Sequence, residues 1–188
     1  MVVATMAVPL GAYSAWINVL DISLKHFNFT QTDAGWIGFS STLSGGIAGM
    51  IAGRVADKFP GRLARIIAIM YGIATLCMVW FTLICFRVIP YSIVQVYVSA
   101  SLVGFCMYAT YPLFFEFSIE TTFPIPEACT SAFLVMSQAA IQAIFLALPV
   151  NQIGTDWMNY TLMICPGLGV VVLLLFKEEY SRLHMDLQ

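Results

Sequence analysis

Six apolar runs, each about as long as a helix needs to cross a bilayer, constrain this chain more than any other feature. A hydrocarbon core about 30 Å thick takes roughly 20 residues at about 1.5 Å of rise each. The runs lie near Val2–Leu20, Gly35–Gly53, Ile66–Phe86, Tyr91–Phe115, Ala128–Val150 and Tyr160–Phe176, and the segments between them hold most of the charge and asparagine. Within each run apolar residues fall on every side, which suits lipid rather than water. Only 10% of the residues are charged, against roughly a quarter in a soluble domain, so no water-facing shell can be assembled. The expected fold is an all-α membrane protein with six transmembrane helices within residues 1–176 and a tail at 177–188.

Basic residues orient the bundle, because cytoplasmic loops retain an excess of Lys and Arg. Arg54, Lys58, Arg62 and Arg65 fill the second connection and Lys177 and Arg182 the tail, against Lys25 and Arg87 on the other side, so both termini are expected in the cytoplasm. The sequons at Asn28 and Asn159 then fall on the far side, the side on which glycans are added. Trp36 and Trp157 lie near that interface, as an aromatic belt requires. The Val2 run follows no basic segment and no cleavage site, so it reads as a span and not as a signal peptide. His26, in a far-side loop, titrates near neutrality if it is exposed, and is otherwise simply solvated. The net charge of −2 excludes nucleic acid as a partner. Cys77, Cys85, Cys106, Cys129 and Cys165 lack metal-ligand spacing, so no metal or other cofactor is expected.

The second run carries Gly45, Gly49 and Gly53 at four-residue spacing, with Gly46 beside them, a strip for close helix contact or for a solute. It leads into Gly53-Arg54-Val55-Ala56-Asp57-Lys58-Phe59-Pro60-Gly61-Arg62. This stretch resembles the Gly-x-x-x-Asp-Arg/Lys-x-Gly-Arg signature of the major facilitator superfamily, with Pro60 as one additional residue. The resemblance implies that Gly53, Asp57, Lys58 and Arg62 belong to a cytoplasmic gate. In such a gate, Asp57 near a helix N-terminus and charge-assisted bonds bias two packings. A solvated basic loop that serves only topology is the alternative.

After the fourth run, Tyr111-Pro112-Leu113-Phe114-Phe115-Glu116-Phe117-Ser118-Ile119-Glu120 continues through Phe123-Pro124-Ile125-Pro126-Glu127. It is similar to a stretch of the feline-leukaemia-virus-receptor-related transporters, the solute carrier 49 family. Asn28-Phe29-Thr30-Gln31-Thr32 followed by Ala34-Gly35-Trp36 resembles the disrupted-in-renal-carcinoma branch. The resemblance covers nearly the whole chain as the C-terminal half of a twelve-helix transporter. It implies a small organic solute, choline-like or vitamin-like, and a lysosomal, proton-linked carrier. In this frame Glu116, Glu120 and Glu127 join the gate.

Glu116 and Glu120 share one face of a continuing helix, where mutual repulsion raises the pKa of one of them. Proton transfer, gate locking and a bond to the Arg62 loop all remain open. Buried polar groups in lipid are costly, so Asn18, Gln95, Gln138 and Gln142 are expected to face the bundle interior or a cavity. Ala139 occupies the position of the family's solute-contacting Gln, flanked by Gln138 and Gln142. Trp16, Tyr13 and Tyr108 are candidates for an aromatic wall around a cationic or flat solute, or for helix packing. Pro9 and Gly11 interrupt the first helix, either at a solute site or as a packing kink. Tyr180-Ser181-Arg182-Leu183 fits a short sorting motif.

No Ser/His/Asp set, metal cluster or phosphate loop points to an enzyme. The leading reading is one half of a major-facilitator bundle, embedded in the lipid bilayer, that moves a small organic solute by alternating access. It requires a second six-helix half, either an N-terminal half or another copy. A non-transporting membrane module that associates through its glycine face is the alternative.

Overall fold

The computed structural model describes residues 2–24, 30–59, 61–90, 92–122, 124–148 and 156–175. The sequon at Asn28, His26, Pro60 and the tail with its sorting motif lie outside the described residues. Among the described residues the chain is all-α: six long helices and one short one form a bundle with several apolar, membrane-spanning members. They are α1 (Val2–Asn18), α2 (Leu20–Leu24), α3 (Gln31–Lys58), α4 (Leu63–Cys85), α5 (Ile93–Thr122), α6 (Glu127–Ala147) and α7 (Asp156–Leu175). The architecture matches part of a major-facilitator fold.

Four of them, α4 to α7, are long and apolar enough to cross a membrane. α1 has 17 residues and is extended by α2 after a break at Val19. α3 has 28 residues, and its glycines, serines and charged ends make it the least apolar of the long helices. The long helices alternate in direction, so the starts of α1, α4 and α6 share one face of the bundle with the ends of α3, α5 and α7.

Between lipid and a packed interior the hydrophobic effect offers little gain, so small residues and interhelical hydrogen bonds hold such bundles together. Both are concentrated where α3 meets α5. Ser41 donates to the Ala100 carbonyl at 2.9 Å, Ser44 to the Ser101 carbonyl at 2.9 Å, and the Ser40 and Ser101 hydroxyls lie 3.0 Å apart. A Cβ on Gly104 would sit 2.7 Å from the Ser41 carbonyl oxygen, and one on Gly45 2.3 Å from the Tyr108 ring. The close contact expected along the glycine strip is therefore made at Gly45, whereas Gly46 and Gly53 face open space.

Pro9 in α1 cannot donate to the Thr5 carbonyl one turn earlier, and the buried Tyr71 hydroxyl of α4 supplies that bond at 2.9 Å. The outward faces are apolar: Ile69, Ile73 and Leu76 on α4, and Ile164, Leu168 and Val171 on α7, follow helical spacing toward lipid.

Helix ends depart from the apolar runs because a helix does not stop where lipid does. α3 continues through Lys58, so Gly53 to Lys58 form its last turns and not a loop. The turn before α4 uses Gly61 at φ 82°, in the left-handed region that glycine alone enters without cost. α5 runs on past Glu120 to Thr122. At the opposite face a capping box opens α3: the Thr30 hydroxyl bonds the Asp33 amide at 3.2 Å and the Asp33 carboxylate accepts from the Thr30 amide at 3.0 Å. These bonds hold the exposed Asp33 carboxyl below the ordinary carboxylate range. Because this pKa is depressed, the cap stays intact across neutral and mildly acidic pH and is lost only as pH falls through the carboxylate range. Thr30→Ala is expected to cost about 1 kcal/mol, read as faster amide exchange in the first turn of α3.

Candidate functional site

α1, α5 and α6 bring an uncharged aromatic and amide cluster together. α5 supplies Tyr108 and Tyr111, half-buried and stacked with ring centroids 5.8 Å apart. Pro112 frees the Tyr108 carbonyl from its helix bond, and Gly49 of α3 leaves room there: a Cβ on it would come no closer than 4.0 Å. Tyr13 of α1 meets Tyr108 edge-on at 5.5 Å, and Phe115 lies 6.4 Å from Tyr111. Gln138 of α6 is 8% exposed, and its amide nitrogen donates to the Tyr111 hydroxyl and, at 3.4 Å, to the Ser14 hydroxyl of α1. One turn on, Asn18 donates to the Ser14 carbonyl at 2.9 Å and is exposed, while Gln142 is half-buried.

Gly11 lets α1 and α6 approach: a Cβ there would lie 2.9 Å from the Gln138 carbonyl oxygen. The site is thus fixed by backbone contact as well as by side chains. No Lys, Arg, Asp or Glu stands on α1, on α6 beyond Glu127 or on α5 before Glu116. An anionic solute therefore meets no counter-charge here, whereas tyrosine faces and amide oxygens suit neutral or cationic groups.

Asn18, Tyr108, Gln138 and Gln142 thus share one region. Trp16 lies behind Tyr13 of this cluster, the two ring centroids 6.0 Å apart: fully buried, it donates from Nε1 to the Asn159 Oδ1 at 2.9 Å and packs edge-on against Phe81 at 5.1 Å. The Asn159 sequon, which the sequence puts on the far side, lies inside α7, and its asparagine is 2% exposed. Gln95 is half-buried on α5. Between α1 and α7 a cavity of about 310 Å³, lined by Val8, Pro9, Leu168 and Gly169 among others, is nearly all apolar and offers a solute no polar anchor.

Ser14 and Tyr111 were not singled out as site residues from the sequence. The signals that could have found them are local: Ser14 lies one turn before Asn18 on the same face, and Tyr111 lies one turn after Tyr108.

The charged group sits on the face formed by the starts of α1, α4 and α6. Asp57 and Lys58 end α3, Arg62 precedes α4 and Glu127 begins α6, and all four side chains are exposed. Asp57 lies at the C-terminal end of its own helix, where a macrodipole disfavours a carboxylate, while Glu127 has the favourable N-terminal position on α6. Glu116 and Glu120 do share helix α5, but Glu116 is exposed and Glu120 is buried.

No protein-family model matches the chain. Relatives do. The "Solute carrier family 49 member 4 homolog" of Xenopus laevis is 35% identical over 190 residues, covering 99% of this chain and 42% of that protein. The homolog of the same name in Xenopus tropicalis gives the same identity and coverage. The "Choline/ethanolamine transporter FLVCR1" of Felis catus is 28% identical over 193 residues, or 100% of this chain and 33% of that transporter. The chain thus spans well under half the length of these relatives. Along its whole length it is homologous to one part of the solute carrier 49 and FLVCR transporters of the major facilitator superfamily.

Proposed function

We propose that this chain forms one half of a secondary transporter that moves a small organic solute across a membrane by alternating access, as a carrier and not as an enzyme. The observation that carries this reading is the uncharged cluster of Tyr108, Tyr111, Gln138, Ser14 and Asn18, built from three helices of a membrane bundle. Amides inside a membrane bundle are costly unless they are paired or line a pathway. Choline and ethanolamine, named for the FLVCR1 relatives, are the first solutes to try here.

Residues 1–176 make up the bundle and 177–188 a cytoplasmic tail, with both termini in the cytoplasm. Gly53, Asp57, Lys58, Arg62, Glu116, Glu120 and Glu127 form the gate on that side, and proton coupling runs through its carboxylates. The membrane is lysosomal, with the plasma membrane as the alternative. A second six-helix half completes the cavity. The α3 positions Gly35, Gly38, Gly46 and Gly53, each with open space where a side chain would stand, suit the close approach of its helices. The same observation favours association through α3 should the chain transport nothing.

Flux of radiolabelled choline and ethanolamine into vesicles holding the assembled protein tests this reading. Gln138→Ala is expected to lower flux about tenfold or more, as loss of a hydrogen bond of about 1.5 kcal/mol requires, and Asp57→Asn to lower it with insertion intact. Unchanged flux in both variants contradicts the assigned site and gate.

A further inference from the structure

We propose that Tyr111 and Ser14 are positioning residues that hold the Gln138 amide with its nitrogen turned into the bundle and its carbonyl oxygen offered to solute. The functional consequence rests on the transport reading above; the geometry does not.

A primary amide has two N–H groups and one carbonyl. Both donors of Gln138 are engaged, one by the Tyr111 hydroxyl and one by the Ser14 hydroxyl at 3.4 Å, so the carbonyl is the group that remains. Each anchor is itself fixed. Stacking on Tyr108 and contact with Phe115 hold the Tyr111 ring, and Ser14 lies on α1 three residues after Gly11, where α1 and α6 touch through the Gln138 backbone. Asn18 repeats the pattern one turn on, its amide nitrogen spent on the Ser14 carbonyl at 2.9 Å. Two amides on neighbouring helices thus engage their nitrogens at Ser14. Gln138 is 8% exposed, and an unpaired amide there would be costly, so the two hydroxyls fix the end of the amide that they meet. The flipped amide, with oxygen inward and nitrogen outward, is the competing arrangement.

Side-chain amide NMR of the full chain, labelled with ¹⁵N-glutamine in detergent micelles, distinguishes the two, with Gln138→Ala identifying the resonance pair. Both Gln138 amide protons are expected to exchange slowly with solvent. Ser14→Ala should speed the exchange of one of them, and Ser14→Thr, which keeps the hydroxyl, should restore it. Fast exchange of both protons in the unaltered chain overturns the proposal. In vesicles of the assembled protein, Ser14→Ala should raise the KM for choline severalfold with little change in kcat, and Ser14→Thr should return it. An unchanged KM beside altered amide exchange overturns the positioning role while transport stands. If the unaltered protein carries no choline, the transport reading for that solute fails, and amide exchange alone decides the geometry.

Discussion

Gly104→Ala is expected to destabilise the bundle by about 2–3 kcal/mol, the upper part of the usual range for overpacking. The added Cβ would stand 2.7 Å from the Ser41 carbonyl oxygen, 2.9 Å from the Ser41 Cβ and 2.9 Å from the Tyr13 hydroxyl. A flexible side-chain tip could move aside, but a backbone carbonyl on a facing helix cannot without separating α3 from α5. Separation would also stretch the bonds from Ser41 and Ser44 to α5 carbonyls, each worth about 0.6 kcal/mol on average in membrane proteins. Gly46→Ala is the matched control. Nothing lies within 4 Å of its would-be Cβ, so that variant is neutral or gains up to about 1 kcal/mol from helix propensity. Equilibrium unfolding in mixed micelles compares the two. Equal stabilities would mean that α3 and α5 do not pack as described.

Trp16→Ala is expected to cost about 3–5 kcal/mol, as for other buried tryptophans. The fully buried ring loses its edge contact with Phe81, and the buried Asn159 oxygen loses its donor. Trp16→Phe keeps most of the volume and isolates the hydrogen bond, so its cost should be near 1 kcal/mol. If Trp16→Ala unfolds within about 1 kcal/mol of the unaltered chain, the residue faces a cavity instead of the core. That outcome would return Trp16 to the solute wall for which the sequence made it a candidate.

The contrast between Trp16 and Gln138 shows where the sequence is legible. Apolar run length, set by bilayer thickness, reveals the helices, and the rarity of polar residues inside them marks Gln138 as unusual. Which helix each side chain meets is not encoded locally. The bond from Gln138 to Ser14 joins residues 124 apart, and that from Trp16 to Asn159 joins residues 143 apart. Periodicity gives a face but not the neighbour across it. For the same reason the glycine spacing revealed a strip, while only the packed structure shows that Gly45 is filled against and Gly53 is not. The basic signature looked like a loop because it is charged, although Arg54, Asp57 and Lys58 extend a helix already under way.

On the proposed function, the face shared by α1, α5 and α6 lines a water-filled solute path, and cysteine accessibility tests this without knowledge of the solute. In cells expressing the assembled protein, on a background without the native cysteines, Ser14→Cys and Gln142→Cys should react with a small, water-soluble thiosulfonate. Cysteines at the lipid-facing positions Ile69 and Ile164 should stay inert. Reaction at the lipid-facing pair with none at Ser14 or Gln142 would contradict the account.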